Sequence, residues 1–218
     1  MAKDLAIVLN NGGVNALVAT ALAAQKHRAI MLYVDGAGVG ARARSAYDQQ
    51  VAHFKPYREH TIAMSWLNSI TPPQQSAPVV PDPRRPAPLG PQMLELLSLI
   101  AAAVRFAAHY QAAAIFTGLR IGGHGDELAQ ATEFGQVWNE LIQIPCGQTD
   151  LTIETPLLEL EPWQVVDLGF QVNAPFDRAA SCVEESSEPC WACRGCRMRE
   201  VAFQQAAKAD PLRAVKKL

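Results

Sequence analysis

Charge is scarce in this chain: Asp, Glu, Lys and Arg make up 18% of its 218 residues, and the net charge is only −2. An average soluble domain carries about a quarter of such residues. No stripe of Lys and Arg interleaved with aromatics appears, so the electrostatic footprint of a nucleic-acid binder is missing and no nucleic-acid partner is expected. Long apolar runs are absent too. The stretch Leu5-Ala6-Ile7-Val8-Leu9 is too short to cross a bilayer or to form a secretory core, so no membrane partner is expected. The opening Met1-Ala2-Lys3-Asp4 has no signal-peptide pattern, and a cytoplasmic chain with reduced thiols is the expectation. What remains is an alanine-rich, helix-prone sequence. It is long enough for one domain, 1–218, around a core that buries about 70% of the unfolded surface.

Strand and helix patterns alternate along it. Leu5–Leu9 and Ala29–Val34 read as buried parallel strands, and Glu59–Met64, Ala113–Thr117 and Leu151–Glu154 as three more. Helical periods fall at 15–26 with Asn15 as its cap, 42–54, 92–111, 126–142, 161–169 closed by Gly169, and 197–209. The expected fold is therefore α/β, a parallel five-stranded sheet with helices on both faces. Residues 71–91 interrupt the rhythm with eight of the chain's fifteen prolines and read as an extended loop or linker.

Two features carry chemistry. The first is Asn10-Asn11-Gly12-Gly13-Val14-Asn15-Ala16 after the first strand. A strand, a glycine turn and a helix present bare backbone N–H groups and a positive helix end to a phosphate. The same residues also suit an ordinary tight turn, and both readings stand on this segment alone. The second is the four-cysteine spacing C-x7-C-x2-C-x2-C formed by Cys182, Cys190, Cys193 and Cys196 within residues 181–199. Four convergent thiolates close a tetrahedral shell around a structural Zn²⁺. An iron–sulfur cluster is the rival for this spacing. Cys146, beside Pro145 and Gly147, reads as a turn or core residue, His124 as a solvated loop residue, and Asp35-Gly36 as either a turn or a ribose contact. Trp163 and Trp191 are expected to shield the core and the knuckle.

Together these features resemble the 7-cyano-7-deazaguanine synthase (QueC-like) family of PP-loop ATP pyrophosphatases. The family loop S-G-G-x-D-S aligns with Asn11 to Ala16. Its zinc region, S-C then C-G-x-C-x-S-C-x-x-R and a phenylalanine, aligns with Ser181-Cys182, Cys190 to Arg199 and Phe203. Between them, Ile153-Glu154-Thr155-Pro156-Leu157-Leu158 resembles the family's apolar-P-L-hydrophobic segment and Asp167-Leu168-Gly169 its R-L-G. The resemblance implies an adenine nucleotide α-hydrolase-like fold with a C-terminal zinc knuckle on Cys182, Cys190, Cys193 and Cys196. It also implies a nucleotide loop of Asn11, Gly12, Gly13, Asn15 and Ala16, and a homodimer. An active member would use ATP and Mg²⁺ to convert 7-carboxy-7-deazaguanine and ammonia to the nitrile in queuosine biosynthesis.

The departures fall where charge is needed. Two serines and an aspartate of the family loop are here Asn11, Ala16 and Asn15, and the lysine of the family's L-T-K segment falls at Pro162. No arginine stands near Pro91–Glu95, where the family's V-P-x-R-N is expected, and Asp126–Gln130 bears no likeness to its Y-P-D-C-R. The expectation is a zinc-bearing protein with a degenerate nucleotide site, a nucleotide or deazapurine binder with impaired or altered ATP chemistry. An active synthase and a non-enzymatic interaction module are the alternatives.

Overall fold

A computed structural model describes residues 4–35, 41–64, 89–122, 126–146, 150–184 and 188–214. Five parallel strands form one sheet: β1 (Leu5–Leu9), β2 (Arg28–Asp35), β3 (Arg58–Ala63), β4 (Ala114–Phe116) and β5 (Thr152–Glu154). Their order is β3-β2-β1-β4-β5. The chain thus runs outward from β1 in one direction and, after β3, returns to build β4 and β5 on the other side. The crevice between β1 and β4, at the carboxyl ends of the strands, is where open sheets of this kind accept ligands.

Side-chain alternation divides the core. Ile7, Leu9, Ile30, Leu32, Ile115 and Ile153 point to one face, where they meet Leu96, Ile100, Ala103 and Ala107 of α3 (Leu89–Tyr110) and Ile142 of α4 (Asp126–Cys146). On the opposite face Ala6, Ala29 and Ala114 are small, and Ala23 of α1 (Val14–Lys26) packs directly on them. Met31 and Tyr33 meet Tyr47 of α2 (Ala41–Phe54) on this side. The large residues fill space under two helices, and the alanines let α1 lie close to the strands. A further layer forms where Leu17 and Val18 of α1 pack on Val165 and Val166 of α5 (Pro162–Gln171), on Phe176, and on Phe203 of α6 (Arg194–Gln205).

Several boundaries differ from expectation. Asn15 does not cap α1: Gly13 does, in extended geometry (φ −80°, ψ 171°), and its carbonyl accepts from Leu17 N–H at 2.9 Å. Gly169 does not end α5. A Cβ there would collide with the Phe176 ring, so this glycine serves close packing, and the helix stops where Asn173 turns left-handed at φ 54°. α3 begins at Leu89, three residues inside the segment read as loop, because a proline at Pro91 is tolerated in a first turn whose N–H groups lack helical partners anyway. Residues 71–88 and His124 lie outside the described residues. Trp163 is exposed on the first turn of α5 and shields no core.

α6 begins three residues earlier than its apolar period, since Cys193 of the cysteine segment is its N-cap, and it ends at Gln205 rather than 209. Ala207 (φ 53°) closes it: Lys208 N–H bonds Phe203 O and Ala207 N–H bonds Gln204 O, both at 3.0 Å, a Schellman arrangement. The short α7 (Pro211–Ala214) follows. Between them Asp210 takes both oxygens to Arg199 at 2.7 Å, while Arg199 also donates to Ala179 O (2.8 Å) and Phe176 O (2.7 Å). The two side chains are only 1% and 6% exposed, so neither charge has water to fall back on. Asp210→Ala is expected to destabilise the chain by about 3–5 kcal/mol, the usual cost of orphaning one buried partner. Urea unfolding should show it as a lowered midpoint.

Candidate functional site

The turn after β1 is built from its own side chains. Asn10, 3% exposed, ends the apolar run and accepts Gly12 N–H on Oδ1 at 2.7 Å, and Asn11 Oδ1 accepts Gly13 N–H at 3.0 Å. Both are Asx turns, in which an asparagine bonds the backbone two residues on. The two glycine amides are therefore not bare, contrary to the expectation from the segment alone. Asn10 Nδ2 donates to Thr20 Oγ1 and to Gln50 Oε1, each at 2.8 Å. Gln50 Nε2 donates to Gly12 O (3.1 Å) and to Arg178 O (2.9 Å), joining α2, the turn and the segment that follows α5.

Gly12 faces away from the crevice. It is left-handed (φ 77°), and a Cβ there would collide with the carbonyl of Ala43 on α2, so both its conformation and its packing require glycine. Asn11, Gly13, Asn15 and Ala16 instead line a cavity of about 440 Å³ at the β1/β4 crevice, within the size range of small-molecule sites. Apolar walls come from Leu9, Leu32, Val34, Leu96, Met198 and Phe203, and polar ones from Thr117, Ser181, Arg120 and Arg199. No carboxylate is among the described lining residues.

The two arginines differ in freedom. Arg199 commits four hydrogen bonds to Asp210, Ala179 and Phe176. Arg120 is half-buried, and its Nη1 donates a long 3.4 Å bond to Leu160 O. Burial draws its guanidinium below the usual arginine range, and the negative charge of Glu161 opposes that shift.

The cysteines meet next to the cavity, where Ser181 and Gly195, the neighbours of Cys182 and Cys196, form part of its wall. Their Sγ atoms all lie within 4.8 Å of one another, with Cys182–Cys190 at 3.5 Å and Cys182–Cys193 at 4.0 Å. A tetrahedral ion with bonds of about 2.3 Å sets sulfur separations near 3.8 Å, so the four residues fit a single metal. Backbone amides already point at the sulfurs. Cys190 N–H approaches Cys182 Sγ at 3.3 Å, and Cys193 and Ala192 N–H approach Cys190 Sγ at 3.2 and 3.5 Å. The Ala192 and Cys193 amides lower the Cys190 thiol to about 6, whereas burial pushes the Cys196 thiol up. Trp191 lies under the Arg213 guanidinium at 4.4 Å, which ties the loop to α7. Cys146 is the last residue of α4.

Loop and cluster are physically joined. Ala180 N–H bonds Gly12 O at 2.9 Å and Ala180 bridges Gly13, Ser181 lines the cavity, and Cys182 is a cluster residue. Gly195, which also lines the cavity, packs so tightly on Ser181 O that no Cβ fits there.

Among solved structures, a tRNA U34 thiolase from Methanococcus maripaludis aligns over 94% of this chain and 68% of its own, at 10% identity and a TM-score of 0.51. The NMN synthetase of Francisella tularensis aligns over 99% and 82%, at 16% identity and a TM-score of 0.50. Sheet order, crevice and these neighbours define the fold class as α/β, adenine nucleotide α-hydrolase-like. The model of the family described as Queuosine biosynthesis protein QueC matches residues 5–207, and the chain belongs to that family. Similar relatives are two proteins named 7-cyano-7-deazaguanine synthase. That of Chloroherpeton thalassium is 35% identical over 80 residues, 36% of this chain and 35% of the relative. That of Koribacter versatilis is 30% identical over 114 residues, 52% and 48%. The matched stretches thus span about a third to a half of the relatives' length.

If the cluster holds a metal that helps fold this region, purified protein should contain about one metal ion per chain by elemental analysis. Stripping it should lower the melting temperature by about 20 °C or more, since a structural site supplies about 10 kcal/mol and a chain of this size shifts about 2–4 °C per kcal/mol. An unchanged melting curve in the stripped protein contradicts that role.

Proposed function

We propose that this chain is a zinc-stabilised QueC-family protein that binds a nucleotide or a deazapurine and whose ATP-dependent chemistry is impaired or altered. The observation that carries the reading is the turn at Asn10–Gly13: its glycine amides are spent on Asn10 and Asn11, and the cavity beside it has no carboxylate among its described lining residues. A triphosphate with Mg²⁺ needs charged ligands for the metal and donors for the departing pyrophosphate. Asn15 brings no charge and Ala16 no hydroxyl to those tasks. Each such group is worth about 10²–10³ in rate, and several are absent together. The zinc assignment is supported by the sulfur spacing, since one shared ion holds four thiolates closer together than a cluster that gives each its own iron.

A second reading, an active 7-cyano-7-deazaguanine synthase, is favoured by the family match over residues 5–207. Incubation with ATP, Mg²⁺, ammonia and 7-carboxy-7-deazaguanine separates the two. The proposal expects nitrile formation at least about 10³-fold slower than in an active family member, and formation at a comparable rate overturns it. Asn15→Asp combined with Ala16→Ser should raise affinity for Mg·ATP by roughly tenfold, measured by titration calorimetry, because it returns a metal-binding carboxylate and a hydroxyl donor.

A further inference from the structure

Charge is unevenly spread along this chain. Residues 121–177 hold ten of its 21 acidic residues and none of its 19 Lys and Arg. The net charge of −2 conceals that division, and a block of one sign attracts a partner of the other. α4 lies within the block, and its 21 residues include no Lys, Arg or His.

The inner side of α4 accounts for one set of apolar residues: Ala131 and Ile142 are buried, and Phe134 and Trp138 pack against the core. Asn139 occupies another side, where its Oδ1 accepts Ile153 N–H of the outer strand β5 at 2.6 Å. Val137, Leu141 and Ile144 belong to neither set. They are 55%, 51% and 83% exposed. At about 100° per residue they lie roughly 140–200° around the helix from Asn139. Single exposed apolar residues are ordinary, but these, at i, i+4 and i+7, make one ridge about 10 Å long. Contiguous exposed apolar surface of this kind marks a contact site.

Acidic groups frame the ridge. Glu133 stands four residues before Val137, and Glu140 four before Ile144, which makes each a surface neighbour. Both are exposed, and no cation pairs with either among the described residues. The last turn, which holds Ile144, has no basic residue to offset the negative end of the helix dipole.

We propose that this face of α4 docks a basic amphipathic helix of a partner protein. Its apolar side chains would cover Val137, Leu141 and Ile144, and its Lys or Arg would meet Glu133, Glu140 and the negative end of α4. Charge complementarity selects this occupant. A second copy in two-fold contact would set the same acidic helix against itself, and nucleic acid or an anionic membrane would be repelled. No residue of α4 is among the described lining of the crevice cavity, so docking and nitrile formation are tested separately.

Fluorescence anisotropy of the full, metal-loaded chain tests it with a labelled peptide of Leu and Lys at helical spacing. Two control peptides carry Glu for every Lys or Ser for every Leu. The Leu/Lys peptide should bind roughly tenfold or more tighter than either control, and more weakly as salt rises from about 0.1 to 0.5 M. Val137→Ser, Leu141→Ser and Ile144→Ser together should weaken it roughly tenfold, and Glu133→Gln with Glu140→Gln about threefold to tenfold at the lower salt. These side chains are all exposed, so melting curves should match the parent's. If the triple variant does not fold, Ile144→Ser alone takes its place, with a loss of about threefold expected. Absent binding, equal binding of either control, or binding unaltered in either folded variant overturns the proposal. Sedimentation of parent and ridge variant, and flotation with phosphatidylglycerol vesicles, test the other occupants. An oligomer or a vesicle complex that the ridge substitutions abolish overturns it too.

Discussion

One buried amide holds the front of this molecule together. The Gln50 side chain is fully shielded from water, and it satisfies Gly12 O, Arg178 O and Asn10 Nδ2 at once. A buried polar group without partners costs about 1–3 kcal/mol, so three interlocking bonds fix the turn, α2 and the segment before the cysteines in one arrangement. The shape of the crevice follows from this lock. Gly12 is pressed against α2, Gly13 meets Ala180, and the polar edge of the turn that remains towards the cavity consists of asparagines.

The contrast between the two halves of the site is physical. Around the cysteines, four sulfurs gather within 4.8 Å and backbone amides point at those of Cys182 and Cys190. Around the turn, the glycine amides are already satisfied by neighbouring side chains, and the nearby guanidiniums stand beside carboxylates, Arg199 on Asp210 and Arg120 near Glu161. The first arrangement gathers negative charge and suits a cation. The second offers few charged groups and suits a modestly charged guest.

Much of the architecture was legible because its causes are local. Unbroken apolar runs mark β1 and β2, and the cysteine spacing marks the cluster. Helix ends were less legible, since they depend on distant contacts. Gly169 looks like a stop signal and is a packing site for Phe176, and α6 takes its cap from a cysteine. The partners of Asn10, Gln50 and Arg120 are hidden for the same reason. Gln50 shares a helical face with Ala46 and Tyr47, the only hint that a polar residue there is buried, while its partners lie 38, 40 and 128 residues away. Arg120 is one arginine in a short turn, and only the folded crevice shows which surroundings it has.

The run Ala180-Ser181-Cys182 performs three jobs in three successive residues: it stitches to the turn, walls the pocket and supplies a sulfur. Adjacent α-carbons sit about 3.8 Å apart on a stiff peptide link, so none of the three shifts alone. A shift at the sulfur end is therefore felt at the pocket mouth. A displacement of Cys182 would travel to the glycine turn through two peptide links.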